Sequence, residues 1–282
     1  MNKYKIAKAK SKTAWIAAII LALCWCMIAG IPFFFMVINS FKGQFEMLQK
    51  GVFQLPSSWK PSNFVDVLEN GFLNYFFNSV ILLVISLVIL LFITACAAYP
   101  LSRMRFKYRN IIFGTIVAAM SVPMHVTLIP IFKMSTKLQL YDKLVGLIGP
   151  NVAFGIPISV FILTTFMSTI PKDIEESAEI DGCGKFRNFF SMILPLSKAG
   201  LSTLAIYNGV GIWNEFAFAN TLTQSKAAKT LPLAISAFQG EHSMNIPVIM
   251  AVLVLSVLPM IIMFIIFQDK LVKGMMAGAV KG

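Results

Sequence analysis

The sequence predicts an all-α integral membrane protein with six transmembrane helices. Of its 282 residues, 57% are hydrophobic and only 13% are charged, whereas charged residues make up about a quarter of a typical soluble domain. Six apolar tracts are each long enough to cross a bilayer core of roughly 30 Å, which requires about 20 helical residues. The tracts are Ala14–Asn39, Asn78–Tyr99, Ile111–Phe132, Val145–Ile170, Ala199–Leu222 and Ile246–Phe267.

The first tract follows a basic tail, residues 1–13, which contains five lysines. A cleaved signal peptide has a shorter apolar region and a small-residue cleavage site after it. This tract has neither feature, so we expect it to remain in the protein as a transmembrane anchor.

The Lys and Arg residues predict the orientation, because cytoplasmic loops carry an excess of them. With both termini in the cytoplasm, sixteen basic residues lie inside and eight outside. The net charge of +12 could also indicate nucleic-acid binding. The basic residues flank the predicted spans, however, and membrane topology explains them better.

The predicted outside segments are Ser40–Phe77, Lys133–Leu144 and Thr223–Asn245. The first contains turn signals in "QLPSSWKPSN" and is expected to form short helices. The third keeps apolar residues in "TLPLAISAFQGEHS", which could dock on a partner or enter a pore mouth.

Several spans contain helix breakers, which membrane helices tolerate where neighbouring helices or a cavity satisfy the freed backbone groups. Proline and glycine are also simply common in such helices, so both explanations stay open. The breakers are Pro123 and Pro130 in the third span, Gly155 and Pro157 in the fourth, and Gly209 and Gly211 in the fifth.

The segment "DIEESAEIDGCGKFRNFFSMILPLS", Asp173–Ser197, contains five of the twelve acidic residues. Asp173 is expected to cap a helix, with Glu176 in the capping-box position, and Gly182 and Gly184 to end it. Glu175, Glu176 and Glu179 suit the positive end of the helix dipole.

A second short helix is expected from Lys185 to Pro195, with one apolar stripe formed by Phe186, Phe189, Phe190 and Ile193. The segment could be a solvated loop resting on lipid headgroups. Its five carboxylates are repelled by an anionic inner leaflet, which favours a basic protein partner instead.

The segment resembles the EAA loop of ABC-importer permeases, in which Glu-Ala-Ala precedes a glycine and, further on, Ile-x-Leu-Pro. We call Asp173–Ser197 the EAA segment. Two positions depart from the pattern, Ser177 for the first Ala and Met192 for the Ile, and both are close in size to the usual residue. The matching residues are Glu176, Ser177, Ala178, Gly182, Met192, Leu194 and Pro195.

Three other stretches, "GIWNEFAFANTL", "KTLPLAI" and "VLPMIIMFIIFQDKLVKGMMAGAVKG", are similar to the MalG-like, carbohydrate-uptake branch of these permeases. The resemblance implies a multi-pass protein of the bacterial inner membrane that imports a sugar. It also implies a second homologous permease subunit, a cytoplasmic ATPase dimer and an extracytoplasmic solute-binding protein as partners.

In that family the EAA loop docks into a cleft of the ATPase, where its Glu pairs with basic residues. The resemblance implies this ion pair for Glu176 and close packing at Ala178 and Gly182. ATP would be bound by the partner, because the sequence has no G-x-x-x-x-G-K-[ST] motif. The residues expected to couple this chain to the ATPase are Glu176, Ser177, Ala178, Asp181 and Gly182.

Glu215 is the only acidic residue inside the six tracts, and Asn208, Gly211 and Glu215 share one helical stripe. A charge within the membrane usually faces a cavity or pairs with another polar group. The stripe could therefore line a translocation path, brace two helices, or lie near enough to the outer surface to be hydrated. The same alternatives apply to Asn214. His125 could line the path too, although a lone histidine in a membrane is more often a hydrogen-bonded packing residue.

These observations predict a basic tail at 1–13, a six-helix permease domain at 14–267 with the coupling loop at 171–198, and a cytoplasmic tail at 268–282. An ion-coupled carrier would usually show an inverted repeat and more ionisable residues in mid-membrane. A membrane enzyme would need convergent catalytic side chains, and the sequence contains no recognisable catalytic arrangement or metal-ligand spacing.

Overall fold

The computed structural model describes residues 2–241 and 245–279, and the side chains of residues 14–239 and 245–266. Met1 of the predicted N-terminal tail and residues 280–282 of the predicted C-terminal tail lie outside the described residues. The described elements are helical: α1 Asn2–Ser40, α2 Gln44–Lys50, α3 Ser62–Glu69, α4 Phe72–Arg103, α5 Arg109–Ala118, α6 Leu128–Lys137, α7 Ile148–Met167, α8 Asp173–Ile180, α9 Lys185–Asn188, α10 Leu194–Leu196, α11 Lys198–Trp213, α12 Ala217–Leu222, α13 Leu231–Glu241 and α14 Ile246–Ala279.

The chain forms two compact units, Met1–Asn70 with Ile235–Val257, and Gly71–Ala234 with Leu258–Gly282. In the first unit, the chain after α1 folds back on the end of that helix. Lys42 is fully buried, and its ammonium donates to the Asn39 side chain at 2.9 Å and to the Gly51 carbonyl at 3.2 Å. Asn63 of α3 donates to the carbonyls of Ser40 and Lys42. These bonds fix α2 and α3, the short helices expected in this outside segment.

The second unit is built around α4, α7 and α11. Leu90, Leu163 and Leu204, one from each helix, are fully buried. The backbone of α7 comes unusually near its neighbours at Gly155, since a Cβ atom there would lie 2.6 Å from Leu90 Cδ2 and 3.1 Å from Asn208 Oδ1. A larger residue here would have to displace the Leu90 side chain, so Gly155 acts in packing and leaves α7 unbroken.

Four of the predicted spans correspond to continuous helical stretches that are long and apolar enough to cross a membrane: Ala14–Ser40, Phe72–Arg103, Leu144–Met167 and Ile246–Ile266. The third predicted span is a bent pair, Arg109–Ser121 and Met124–Lys137, with an angle of 90° at the break. Pro123 explains this break because it has no N–H to donate and forces Val122 into an extended conformation. Counting each bent pair as one span gives six spans among the described residues.

The predicted fifth span, Ala199–Leu222, is wrong at its outer end. Helix α11 ends at Trp213, and the chain restarts as α12 at Ala217. Glu215 stabilises the start of α12, because its carboxylate accepts the backbone N–H groups of Phe218 at 2.6 Å and Ala219 at 3.0 Å. The helical stretches Lys185–Leu196 and Lys198–Trp213 meet at an angle of 68°, and only taken together do they meet the length and apolarity of a span.

Candidate functional site

The first half of the EAA segment forms helix α8, and its start differs from the prediction. Asp173 is the first helical residue and makes no capping bond, because Lys172 already has a helical backbone conformation at the N-cap. The amides of Glu175 and Glu176 donate to the Lys172 carbonyl, so the predicted capping box does not form. The acidic residues still occupy the first turn, where the helix dipole favours them.

The end of α8 confirms that Gly182 stops the helix. Gly182 has φ +80°, in the left-handed region that disfavours residues with a side chain. Its amide donates to the Glu179 carbonyl at 3.0 Å, and the amide of Cys183 donates to the Ala178 carbonyl at 2.8 Å. These two bonds define a Schellman motif, which turns the chain sharply towards α9.

The side chains of α8 divide between an inner and an outer face. Ala178 is only 4% exposed and packs within this chain. Glu176, Ser177, Asp181 and Gly182 are exposed. Ile180 is 86% exposed beside them, so the outer face of α8 carries an aliphatic side chain next to carboxylates.

The second half of the segment forms α9, a π-helical turn at Phe189–Ile193, and α10. Phe189 and Ile193 are buried, whereas Phe186 is 83% and Phe190 51% exposed. Phe186, Phe189 and Phe190 line one apolar cavity together with Tyr99 of α4, so these three of the four predicted residues share a face.

A polar cleft of about 570 Å³ lies beside α8. It brings the carboxylates of Glu175, Glu176 and Glu179 close to basic residues of the loop after α4. Glu175 is ion-paired with Arg103, the last residue of α4, at 2.5 Å. The sequence indicates Arg103 only as one of the positive charges that set topology, and no local pattern links it to the EAA segment.

A second, larger cavity of about 850 Å³ lies between α7 and α11. Of the candidate path residues, Asn208, Gly211 and Glu215 line it together. A Cβ atom at Gly211 would have nothing within 4 Å, so this glycine leaves open space on the cavity wall. Other lining residues include Asn151, Phe154, Thr203, Tyr207 and Phe218.

Asn208 and Glu215 also have structural bonds. Asn208 donates to Ser159 Oγ at 2.9 Å and so braces α7 against α11. Glu215 binds the start of α12 through backbone amides. Asn214 is exposed and donates to the Val210 carbonyl, and His125 is exposed in a 3₁₀ turn. Neither Asn214 nor His125 is among the described residues that line this cavity.

Known proteins resemble this chain over most of its length. The family described as "Binding-protein-dependent transport system inner membrane component" matches residues 92–277. The ORF2 protein of Caldicellulosiruptor sp. (strain Rt8B.4) is 50% identical over 92% of this chain and 94% of its own length. The melibiose/raffinose/stachyose import permease protein MelC of Bacillus subtilis (strain 168) is 31% identical over 97% of this chain and 99% of its own length.

A solved structure has the same fold. It belongs to a bacterial ABC transporter involved in the import of the acidic polysaccharide alginate. Its TM-score is 0.78 at 24% identity, over 92% of this chain and 97% of the other.

Proposed function

The chain belongs to the family of inner membrane components of binding-protein-dependent transport systems, and we propose that it carries a sugar or oligosaccharide as a permease subunit of an ATP-driven ABC importer. The likeness to MelC, a melibiose/raffinose/stachyose import permease protein, supports this substrate class. The observation that carries the proposal is the exposed face of α8. It presents Glu176, Ser177 and Ile180 outward on the EAA motif.

The proposed partners are inferred from the absence of an ATP-binding motif in this sequence and from the exposed face of α8. Its 282 residues contain no phosphate-binding P-loop, so ATP is bound and hydrolysed by a cytoplasmic ATPase dimer that α8 contacts. This chain then supplies transport and no catalysis. A solute-binding protein delivers the sugar from outside, as the family description implies, and a second homologous permease subunit completes the path.

We propose that both termini lie in the cytoplasm, as the Lys and Arg distribution predicts, and the observed loop contacts pair the loops that this topology places on the same side. The ion pair of Arg103 with Glu175 joins two loops that the charge distribution places inside. On the opposite side, Asp142 accepts the backbone N–H groups of Gln224 at 2.7 Å and Ser225 at 2.8 Å, which joins two predicted outside loops. These amides lower the pKa of the Asp142 carboxyl, so the outside contact stays charged near neutral pH.

The cavity between α7 and α11 is the part of this chain that we assign to the translocation path. Its wall combines the aromatic rings of Phe154, Tyr207 and Phe218 with the polar groups of Asn151 and Thr203. Sugars have apolar ring faces and hydroxyl edges, so this mixture suits them. Glu215 contributes a carboxylate whose position α12 fixes.

Purification from the native membrane, followed by reconstitution in vesicles, tests the function. A tagged chain should bring down an ATPase, and the vesicles should take up sugar only with ATP inside and the solute-binding protein outside. Uptake that is driven by an ion gradient without ATP would establish an ion-coupled carrier and refute the proposal.

The path assignment predicts the effect of Gly211→Leu. The leucine side chain projects into open space on the cavity wall, so the protein should fold while sugar import falls to roughly a tenth or less, as expected of an apolar constriction in a hydrated path. Gly149→Leu is the matched control, since Gly149 of α7 is exposed and also has open space around it. Equal import by the two variants would show that the path lies elsewhere.

A further inference from the structure

The guanidinium of Arg103 connects three elements that meet beneath the predicted membrane core. Its Nη1 donates to the carbonyls of Ile170 at 2.8 Å and Met167 at 3.3 Å, and its Nη2 donates to the carbonyl of Pro171 at 3.2 Å. Its Nε lies 2.5 Å from Glu175 Oε2. One side chain at the end of α4 therefore binds the end of α7, the link that follows it, and the first turn of α8.

The chemistry of each partner suits a guanidinium. The last carbonyls of a helix have no intrahelical donor, and they carry the negative end of the helix dipole. Arg103 supplies donors to this end of α7 in a fixed planar geometry that a lysine ammonium does not have. Its side chain is 3% exposed and that of Glu175 is 14% exposed, so the carboxylate compensates a charge that water hardly reaches.

The connection continues into the core of the second unit. Met167, whose carbonyl Arg103 binds, is fully buried in one cluster with Tyr99 of α4 and Leu204 of α11. Phe189 and Ile193 of the EAA segment belong to the same cluster. A displacement of α8 thus reaches the helices that surround the cavity, provided that α8 stays attached to α4 and α7.

We propose that Arg103 is a positioning residue that locks α8 to the ends of α4 and α7, so that the ATPase moves these helices together with α8. This inference rests on the proposed function. Arg103 contacts neither ATP nor sugar. Its loss leaves the permease able to bind the ATPase through the exposed face of α8, but weakens the mechanical link between hydrolysis and import.

The test is the number of ATP molecules hydrolysed per sugar imported by the reconstituted full complex. Arg103→Gln and Glu175→Gln should both raise this ratio, Arg103→Gln by at least about fivefold, the low end of typical coupling between sites. Because both residues act through one ion pair, the double variant should resemble Arg103→Gln alone. Arg103→Lys keeps the positive charge but loses the planar guanidinium, so this variant should retain part of the coupling.

Lys107→Gln, which removes an exposed positive charge from the same loop, is the matched control and should leave the ratio unchanged. The ATPase should co-purify with every variant in the original proportion. If Arg103→Gln does not assemble, Glu175→Gln and Arg103→Lys carry the test. An unchanged ratio in assembled variants would overturn the inference. An original complex without sugar-stimulated hydrolysis would refute the proposed function instead.

Discussion

Glu176→Lys is expected to abolish sugar-stimulated ATP hydrolysis while leaving membrane insertion intact. Glu176 is exposed on α8 at the polar cleft, and its side chain makes no hydrogen bond or ion pair among the described contacts, so the fold does not depend on it. Reversing the charge places a lysine against the basic residues of the ATPase, and like charges at an interface cost several kcal/mol. The measurement is the hydrolysis rate of the purified complex with and without sugar-loaded binding protein.

Glu69→Lys serves as the control for this prediction. Glu69 is the exposed last residue of α3, in the predicted outside segment, so the same change of charge should leave hydrolysis unaffected. Glu176→Gln should retain part of the stimulation, because it removes the attraction without adding repulsion. Full stimulation in Glu176→Lys would exclude an ion pair between this residue and the ATPase.

Gly182→Val is expected to reduce import and stimulated hydrolysis strongly by changing the direction of the chain after α8. At φ +80° a residue with a side chain costs about 1–2 kcal/mol, and a β-branched residue is at the high end. Relief of this strain would break the Schellman bonds from Gly182 to Glu179 and from Cys183 to Ala178. In this variant, hydrogen exchange at the backbone amides of positions 182 and 183 should be faster than in the original protein.

Gly184→Val distinguishes the effect of backbone conformation from the effect of side-chain volume. Gly184 has φ −67°, and a Cβ atom at either glycine would have nothing within 4 Å. Valine at position 184 therefore adds the same volume in open space without backbone strain, and should leave activity nearly unchanged. Comparable losses in both variants would mean that bulk, and not the left-handed turn, causes the effect.

The sequence predicts the parts of this fold that depend on local physics. A continuous apolar tract predicts a span. A glycine after an acidic helix predicts where that helix ends, and Gly182 confirms this. The break after Trp213 was not predictable from apolarity, because Glu215 replaces the missing helical bonds with its own carboxylate. The π turn at Phe189–Ile193 was also missed, since such a turn has no distinct pattern in the sequence.

Contacts between residues that are far apart in the chain could not be predicted from the sequence. Arg103 and Glu175 each look like ordinary charges next to a span, and only the packing of α4 against α7 brings them together. The same holds for the cavity: a helical stripe predicts that Asn208, Gly211 and Glu215 share a face, but not that α7 supplies the opposite wall.

The central claim is that a separate ATPase binds α8. Cross-linking from Ile180 in the assembled importer tests it most directly. A photoreactive p-benzoylphenylalanine in place of Ile180, which is 86% exposed, should cross-link to the ATPase, with a yield that differs between the nucleotide-free and ATP-bound states. The same probe in place of Phe53, which is 78% exposed in the predicted outside segment, should give no ATPase product. Cross-links from Ile180 to lipid alone, in every nucleotide state, would contradict the account.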